Sequence, residues 1–318
     1  MTSRNVIAAV SISVSFFALD LSAVRPAAAE GTFDQSSDII GLTLHTPKDE
    51  IKKHIEDSFV TSGVHDVFAE IHTDLYAVKD NIGYVAEITS KEEAEANRLK
   101  LEELKKEYEA KKDAGLGDSP IVLGDGDVSR EQIRISFVPG QNADGVTAIG
   151  RRREYPQNDR PVKQVMLNSL KAKYGPPTVT DANGVMYWLT NNAVVKNRRL
   201  FGLCSLKMDS YSARIGPGDN FVKYSENSDQ ASANFLNLVN NVNNDPLHTE
   251  EVGACGTILA ITITPTFDQQ YVSELQETLV DFSAAYAGMK IYAKGFWDKA
   301  NGANQEKLSK DAQKKPAL

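Results

Sequence analysis

The stretch EQIRISF, residues 131–137, puts Ile133, Ile135 and Phe137 at every second position, with charged or polar residues between them. A strand patterned this way needs cover on one face only, the condition met by an antiparallel sheet packed under helices. The signal recurs along the chain. VFAEIHTDLYAVK (67–79) and GYVAEITSK (83–91) are strand-like runs separated by Asp80-Asn81-Ile82, and the Asp-Asn pair suits the turn of a hairpin. GVTAIGRRREY (145–155) reads as the hairpin partner of 131–137, and GVMYWLT (184–190) follows an Asn183-Gly184 turn signal as a further strand. RRLFGLCSLKM (198–208) and GTILAITITP (256–265) are read as strands that each carry or adjoin a cysteine.

Between these runs lie segments with helical spacing. In GLTLHTPKDEIKKHIEDSF (41–59), Thr46 is placed as N-cap and Pro47 at the first helical position, with Ile51, Ile55 and Phe59 on one face. In DRPVKQVMLNSLKAKYGPP (159–177), Asp159 is the expected cap. Val162, Met166, Leu170 and Tyr174 recur every four residues, and Gly175 followed by two prolines ends the helix. Residues 91–113, KEEAEANRLKLEELKKEYEAKKD, carry 15 charges in 23 positions and predict a largely solvated helix with a thin stripe of Leu99, Leu101, Leu104 and Tyr108. A loop is expected over GLGDSPIVLGDGDVS (115–129) and a helix over SANFLNLVNNV (232–242). Val272, Leu275, Leu279, Phe282, Tyr286 and Met289 alternate steps of three and four, predicting one long C-terminal helix.

These elements make an α+β fold, an antiparallel sheet packed by helices, in one or two helix-plus-meander units closed by the long C-terminal helix. The expected organisation is a signal peptide over 1–29, a first helix-sheet unit over 30–92 and a charged helical excursion with its loop over 93–130. A second helix-sheet unit with the C-terminal helix follows over 131–300, and a flexible tail over 301–318. The signal rests on a short basic start, the uncharged run Val6–Leu19 and Ala27-Ala28-Ala29 before Glu30. That run is too short to cross a bilayer as a helix. Without Arg4, Arg25 and Asp20 the mature chain holds 33 basic and 42 acidic residues, a net charge of −9. Such a chain does not suit non-specific nucleic-acid or anionic-membrane binding. A periplasmic or secreted location follows, and in an oxidising compartment Cys204 and Cys255 are expected to form one structural disulfide.

Two of the helix starts carry a resemblance. Residues 41–51, GLTLHTPKDEI, and 161–177, PVKQVMLNSLKAKYGPP with Trp188 in the next strand, resemble the helix-then-meander units of SmpA/OmlA-type outer-membrane assembly lipoproteins and the related tandem fold of β-lactamase inhibitor proteins. In those, a G-[ML]-[ST]-x-x-x-[VI] helix precedes strands and a helix ending in G-x-P leads into a strand with Trp. The chain departs from them in having no lipid-attachment cysteine, in its greater length and in the charged insertion at 91–113. The resemblance implies a protein-binding or assembly role and carries over no active-site residue.

The residues themselves offer few catalysts. The histidines, His45, His54, His65, His72 and His248, show no tight ligand spacing, although His65-Asp66 and His72 with Asp74 could converge with His45. GDGDVSREQ (124–132) begins like a calcium loop but has Arg130 where Gly is required and Ser136 where the bidentate Glu belongs. GPGDN (216–220) lacks the rest of a phosphate loop. No metal or cofactor is therefore expected. The main reading is an exported, non-catalytic protein-binding or envelope-assembly factor with a protein partner in the envelope. Two alternatives stand beside it. One is a periplasmic hydrolase with a site around His248, Glu250 and Glu251. The other is an anion-binding module using Arg151, Arg152, Arg153, Arg198 and Arg199, whose planar guanidinium groups suit carboxylates and phosphates.

Overall fold

Helix α1 (Lys48–Ser58) buries Ile51 and Ile55, four residues apart, and ends directly in the first long strand. The computed structural model describes residues 37–113, 129–138, 145–204 and 246–312, all within one compact unit, Phe33–Leu318. The signal segment 1–29, the 115–128 part of the expected loop, GPGDN and the helix expected over 232–242 lie outside the described residues. A short ribbon, β1 (Asp38–Ile39) with β2 (Leu42–Thr43), precedes α1. After it come β3 (Phe59–His72), β4 (Ala77–Ser90), α2 (Lys91–Asp113), β5 (Arg130–Phe137) and β6 (Val146–Glu154). A 3₁₀ turn at Gln157–Asp159 leads to α3 (Lys163–Tyr174), then β7 (Val179–Thr180), β8 (Met186–Leu189) and α4 (Ala193–Lys196). The chain closes with α5 (Pro246–Gly253), β9 (Thr257–Pro265), β10 (Val272–Asp281) and α6 (Phe282–Ala312).

Eight strands form one antiparallel sheet in the order β3-β4-β5-β6-β10-β9-β8-β7. Each half is a helix followed by a four-stranded meander, α1 with β3 to β6 and α3 with β7 to β10, and the halves meet edge to edge through β6 and β10. The strands of 131–154 thus continue the first meander. Alternation along the strands divides the core into two layers. Ile133, Ile135, Ile149, Trp188, Leu259 and Leu279 pack with Ile51 and Ile55 of α1 and Leu170 and Tyr174 of α3. Their neighbours Tyr187, Leu189, Ile258, Ala260 and Val280 pack on the other face with Val252 of α5 and Phe282, Tyr286, Met289 and Phe296 of α6.

Several expectations are corrected in detail. The hairpin does not turn at Asp80-Asn81. It turns at residues 73–76, where Thr73 N donates to the Tyr76 carbonyl at 2.7 Å and Tyr76 N to Thr73 Oγ1 at 3.0 Å. Asp80 and Asn81 sit inside β4, next to a bulge in which Ile82 is the extra residue opposite the Val67–Phe68 step of β3. Thr46 does not cap α1. Its hydroxyl donates to the Thr43 carbonyl at 2.7 Å, because residues 45–47 run alongside the start of β6, with His45 N donating to Val146 O at 2.8 Å. Asp159 lies in the 3₁₀ turn, and α3 starts after Val162, where residues 161–163 pair instead with 270–272. Residues 198–204 are helical, not a strand. Asn197 Oδ1 accepts from Leu200 N at 3.1 Å as a helix cap does. Finally, residues 272–281 are strand β10 and the helix begins only at Phe282, with Asp281 Oδ1 accepting from Ala284 N at 2.9 Å. That helix runs on to Ala312, so residues 301–312 of the expected tail are helical.

Cys204, at the end of the 198–204 helical residues, is bonded to Cys255 in the turn between α5 and β9. Both are fully buried. The bridge spans 51 residues and, by its loop length, stabilises the fold by about 4 kcal/mol. Among the described residues no helix is long and apolar enough to cross a membrane.

Candidate functional site

The arginine run of β6 alternates faces, as a strand must, so Arg151 and Arg153 enter the layer under α1 and α3 while Arg152 enters the other. Register then chooses their partners. Glu277 of β10 stands opposite Arg151, and Glu131 of β5 opposite Arg153. Arg151 donates through Nε to Glu131 at 2.8 Å and through Nη1 to Glu277 at 2.7 Å. Arg153 reaches Glu131 at 3.2 Å and Glu93 of α2 at 3.1 Å, and lies over the Tyr155 ring. Tyr174, the last residue of α3, has its Oη 3.2 Å from Glu277 Oε1 and 3.1 Å from the Asp38 carbonyl, two acceptors for its one proton. Across the sheet, Arg152 Nη2 bridges Glu154 at 2.5 Å and Glu274 at 2.7 Å.

Burial pulls the pKa of Arg151 down, but the carboxylates of Glu277 and Glu131 outweigh it and hold the guanidinium above its ordinary value. The Tyr174 hydroxyl is pushed up, first by burial and then by Glu277. Tyr155 is raised mainly by burial. Chemically this arrangement is a rivet. The carboxylates of Glu131 and Glu277 are each held by a guanidinium, and Arg151 spends its Nε and Nη1 donors on these two protein carboxylates. Glu93 links α2 to it. Its backbone N–H donates to Ser90 Oγ at 3.1 Å, a Ser-x-x-Glu helix start, while its carboxylate accepts from Ser129 and Arg153.

The structure therefore separates the five arginines. Arg198 and Arg199 belong to the 198–204 helical residues, where Arg199 pairs with Glu251 at 3.1 Å on the surface. Glu250 is exposed and Glu251 half-exposed on α5, Glu250 3.9 Å from Lys290 of α6. The side chain of His248 lies outside the described residues. His45 is 3.1 Å from Asp281, and His54 lies 3.1 Å from the Ile40 carbonyl. Among the described residues no three His, Cys, Asp or Glu side chains gather as metal ligands would.

Reading the residues alone misses Glu93, Glu131 and Glu277 as partners of the arginines. Ser90-x-x-Glu93 and the alternation of Glu131 with Ile133 were available as signals. The approach of Glu277 depended on β6 meeting β10, which no local pattern encodes.

Among the described residues, α2 is the longest element without a buried residue. None of its 23 residues is buried. Ala94, Asn97, Leu101, Leu104 and Tyr108 are half-exposed along one stripe in steps of three and four, and Leu99 is exposed. Arg98 is gripped by Glu95 at 2.6 Å and Glu102 at 2.5 Å within the helix. No protein-family model, curated protein or solved structure matches this chain.

Proposed function

We propose that this protein is an exported, non-catalytic envelope factor that binds a protein partner through α2. The observation that carries this reading is a 23-residue helix that buries nothing. Most helical stability in proteins comes from packing an amphipathic face, and intrahelical ion pairs such as Glu95–Arg98–Glu102 add only a few tenths of a kcal/mol each. Its N-terminus is fixed to the sheet by Ser90 and by Glu93 on Arg153. The stripe of Leu101, Leu104 and Tyr108 has the spacing with which one helix docks along another. The buried Cys204–Cys255 disulfide fits an oxidising compartment. Two helix-plus-meander halves are what the resemblance to envelope-assembly domains implies, and the ion pairs of Arg151, Arg152 and Arg153 with protein carboxylates weigh against an anion site.

The test is site-specific photo-crosslinking in cells from Leu101 and Leu104, with Lys106 on the same helix as a solvent-facing control. The expected outcome is a discrete adduct with one envelope protein from the two leucines and none from the control. Absence of any adduct above background sinks the α2 reading.

A further inference from the structure

A second surface, remote in sequence from α2, has a different chemistry. The turn between β9 and β10 carries Phe267, fully exposed at 104%, and ends at Tyr271, 40% exposed. It is fastened to the start of α3. Tyr271 bridges Val162, Lys163 N donates to the Gln270 carbonyl at 2.8 Å, and Lys163 Nζ donates to Gln269 Oε1 at 3.2 Å. Val162 and Val165 of that helix start are exposed as well, at 46% and 59%. The turn is internally braced. Asp268 accepts from the Thr266 hydroxyl at 2.5 Å and from Gln270 N at 3.1 Å, and Thr266 N donates to the Tyr271 carbonyl. The fold thus spends rigid structure on holding an aromatic ring in water.

Charge says what the surface suits. The chain as a whole is acidic, with a formal net charge of −8, yet α3 contains Lys163, Lys171 and Lys173 and no acidic residue. Its exposed side presents Val165, Asn168, Ser169 and Ala172 between Lys171 and Lys173, and Lys173 also reaches Asp38 at 3.3 Å. Arg160, just before the helix, has its Nε buried without a hydrogen-bond partner. Exposed apolar and aromatic side chains beside Lys163, Lys171 and Lys173, whose charge the exposed Asp159 and Asp268 offset in part, match the boundary of an anionic bilayer, with rings at the acyl edge and cations at the headgroups. Four such side chains expose at most a few hundred Å², short of the ~800 Å² each partner buries in a standard protein interface or a dimer of this chain.

We propose that the exposed side of α3 and the β9–β10 turn seat this protein on an anionic phospholipid surface, with Phe267 and Tyr271 entering the headgroup boundary and Lys171 facing phosphates. This goes beyond the α2 reading and does not depend on it. The test is sedimentation of the full chain with vesicles of phosphatidylglycerol and phosphatidylethanolamine against phosphatidylcholine alone. Wild type is expected to bind the anionic vesicles more strongly. Phe267→Ser is expected to weaken that binding about tenfold, the loss for one inserted aromatic ring, and Lys171→Glu to weaken it on anionic vesicles only. Phe267 is wholly exposed, so its replacement leaves the fold intact. As a local reading independent of the N-terminal apolar run, the emission of Phe267→Trp is expected to be quenched by brominated acyl chains. Equal binding by wild type and Phe267→Ser, or an unquenched tryptophan at 267, overturns the proposal. So does a Phe267→Ser variant that loses only self-association or capture of an envelope protein while its vesicle binding is unchanged.

Discussion

Arg151 is the residue on which the two halves of the sheet turn. It stands on β6, the last strand of the first meander, and holds Glu131 of β5 and Glu277 of β10 at 2.8 and 2.7 Å with little solvent access. Two buried carboxylates sharing one guanidinium make its removal asymmetric. The pair need add little to stability while intact, but an uncompensated buried charge is costly. Arg151→Met should therefore destabilise the fold by about 3–5 kcal/mol, seen as a lower midpoint in urea. If the midpoint stays within error of wild type, Arg151 is not the closed rivet described above and an anion-binding role for it regains force.

At the scale of elements, β4 shows how a local signal and a global position can disagree. Asp80-Asn81 predicted a turn, and a turn-like bond is present: Gly83 N donates to Asn81 Oδ1 at 3.0 Å, while Asn81 Nδ2 donates to Asp66 at 2.5 Å. The bond serves a strand irregularity, because the β3–β4 ladder resumes beyond it and closes at Thr73–Tyr76. Gly83 marks the spot, since a Cβ there would lie 2.2 Å from the Ile135 carbonyl oxygen of β5. Backbone cannot yield as a side-chain tip can. Gly83→Ala should cost at least ~1–3 kcal/mol by overpacking, measured by thermal unfolding, and a neutral result would mean that β4 and β5 do not approach this closely. The C-terminal seam was misread for a related reason. Leu275 and Leu279 are four apart, a spacing that returns to the same face in a strand as well as in a helix, and the step of three from Val272 crosses a bulge before Glu274. The period-two run 131–137, the Met166–Leu170–Tyr174 part of the α3 stripe and the solvated α2 were legible because one pattern fitted each, whereas Val162, expected on that stripe, stands exposed before the helix. The partners of the arginines were not, because the meeting of β6 with β10 is a property of the whole sheet.

Taken together, the described residues of the Phe33–Leu318 unit make a sheet clamped from both sides, and each clamp includes a tyrosine with a raised pKa. On one face Tyr174 fastens α3 to Glu277, and on the other Tyr292 of α6 donates to Asp80 of β4 at 2.5 Å. Burial raises both phenols, with Glu277 adding to Tyr174 and Asp80 to Tyr292. In the unfolded chain a tyrosine loses its proton near pH ~10, whereas in the folded protein both keep it to higher pH. Above that point the unfolded state binds fewer protons than the folded one, so stability falls as pH rises. It is fully present below pH ~10, and Tyr174 alone removes ~1.4 kcal/mol for each further pH unit. Tyr292, half-buried, contributes a smaller share. Replacing both by Phe should cost about 1 kcal/mol per lost hydrogen bond at neutral pH and flatten the alkaline slope. Urea midpoints of wild type and Tyr174→Phe/Tyr292→Phe, followed from pH 7 upward, should therefore converge beyond pH ~10. Parallel curves would mean that neither phenol keeps its proton in the fold, and that both clamps are held by apolar packing alone.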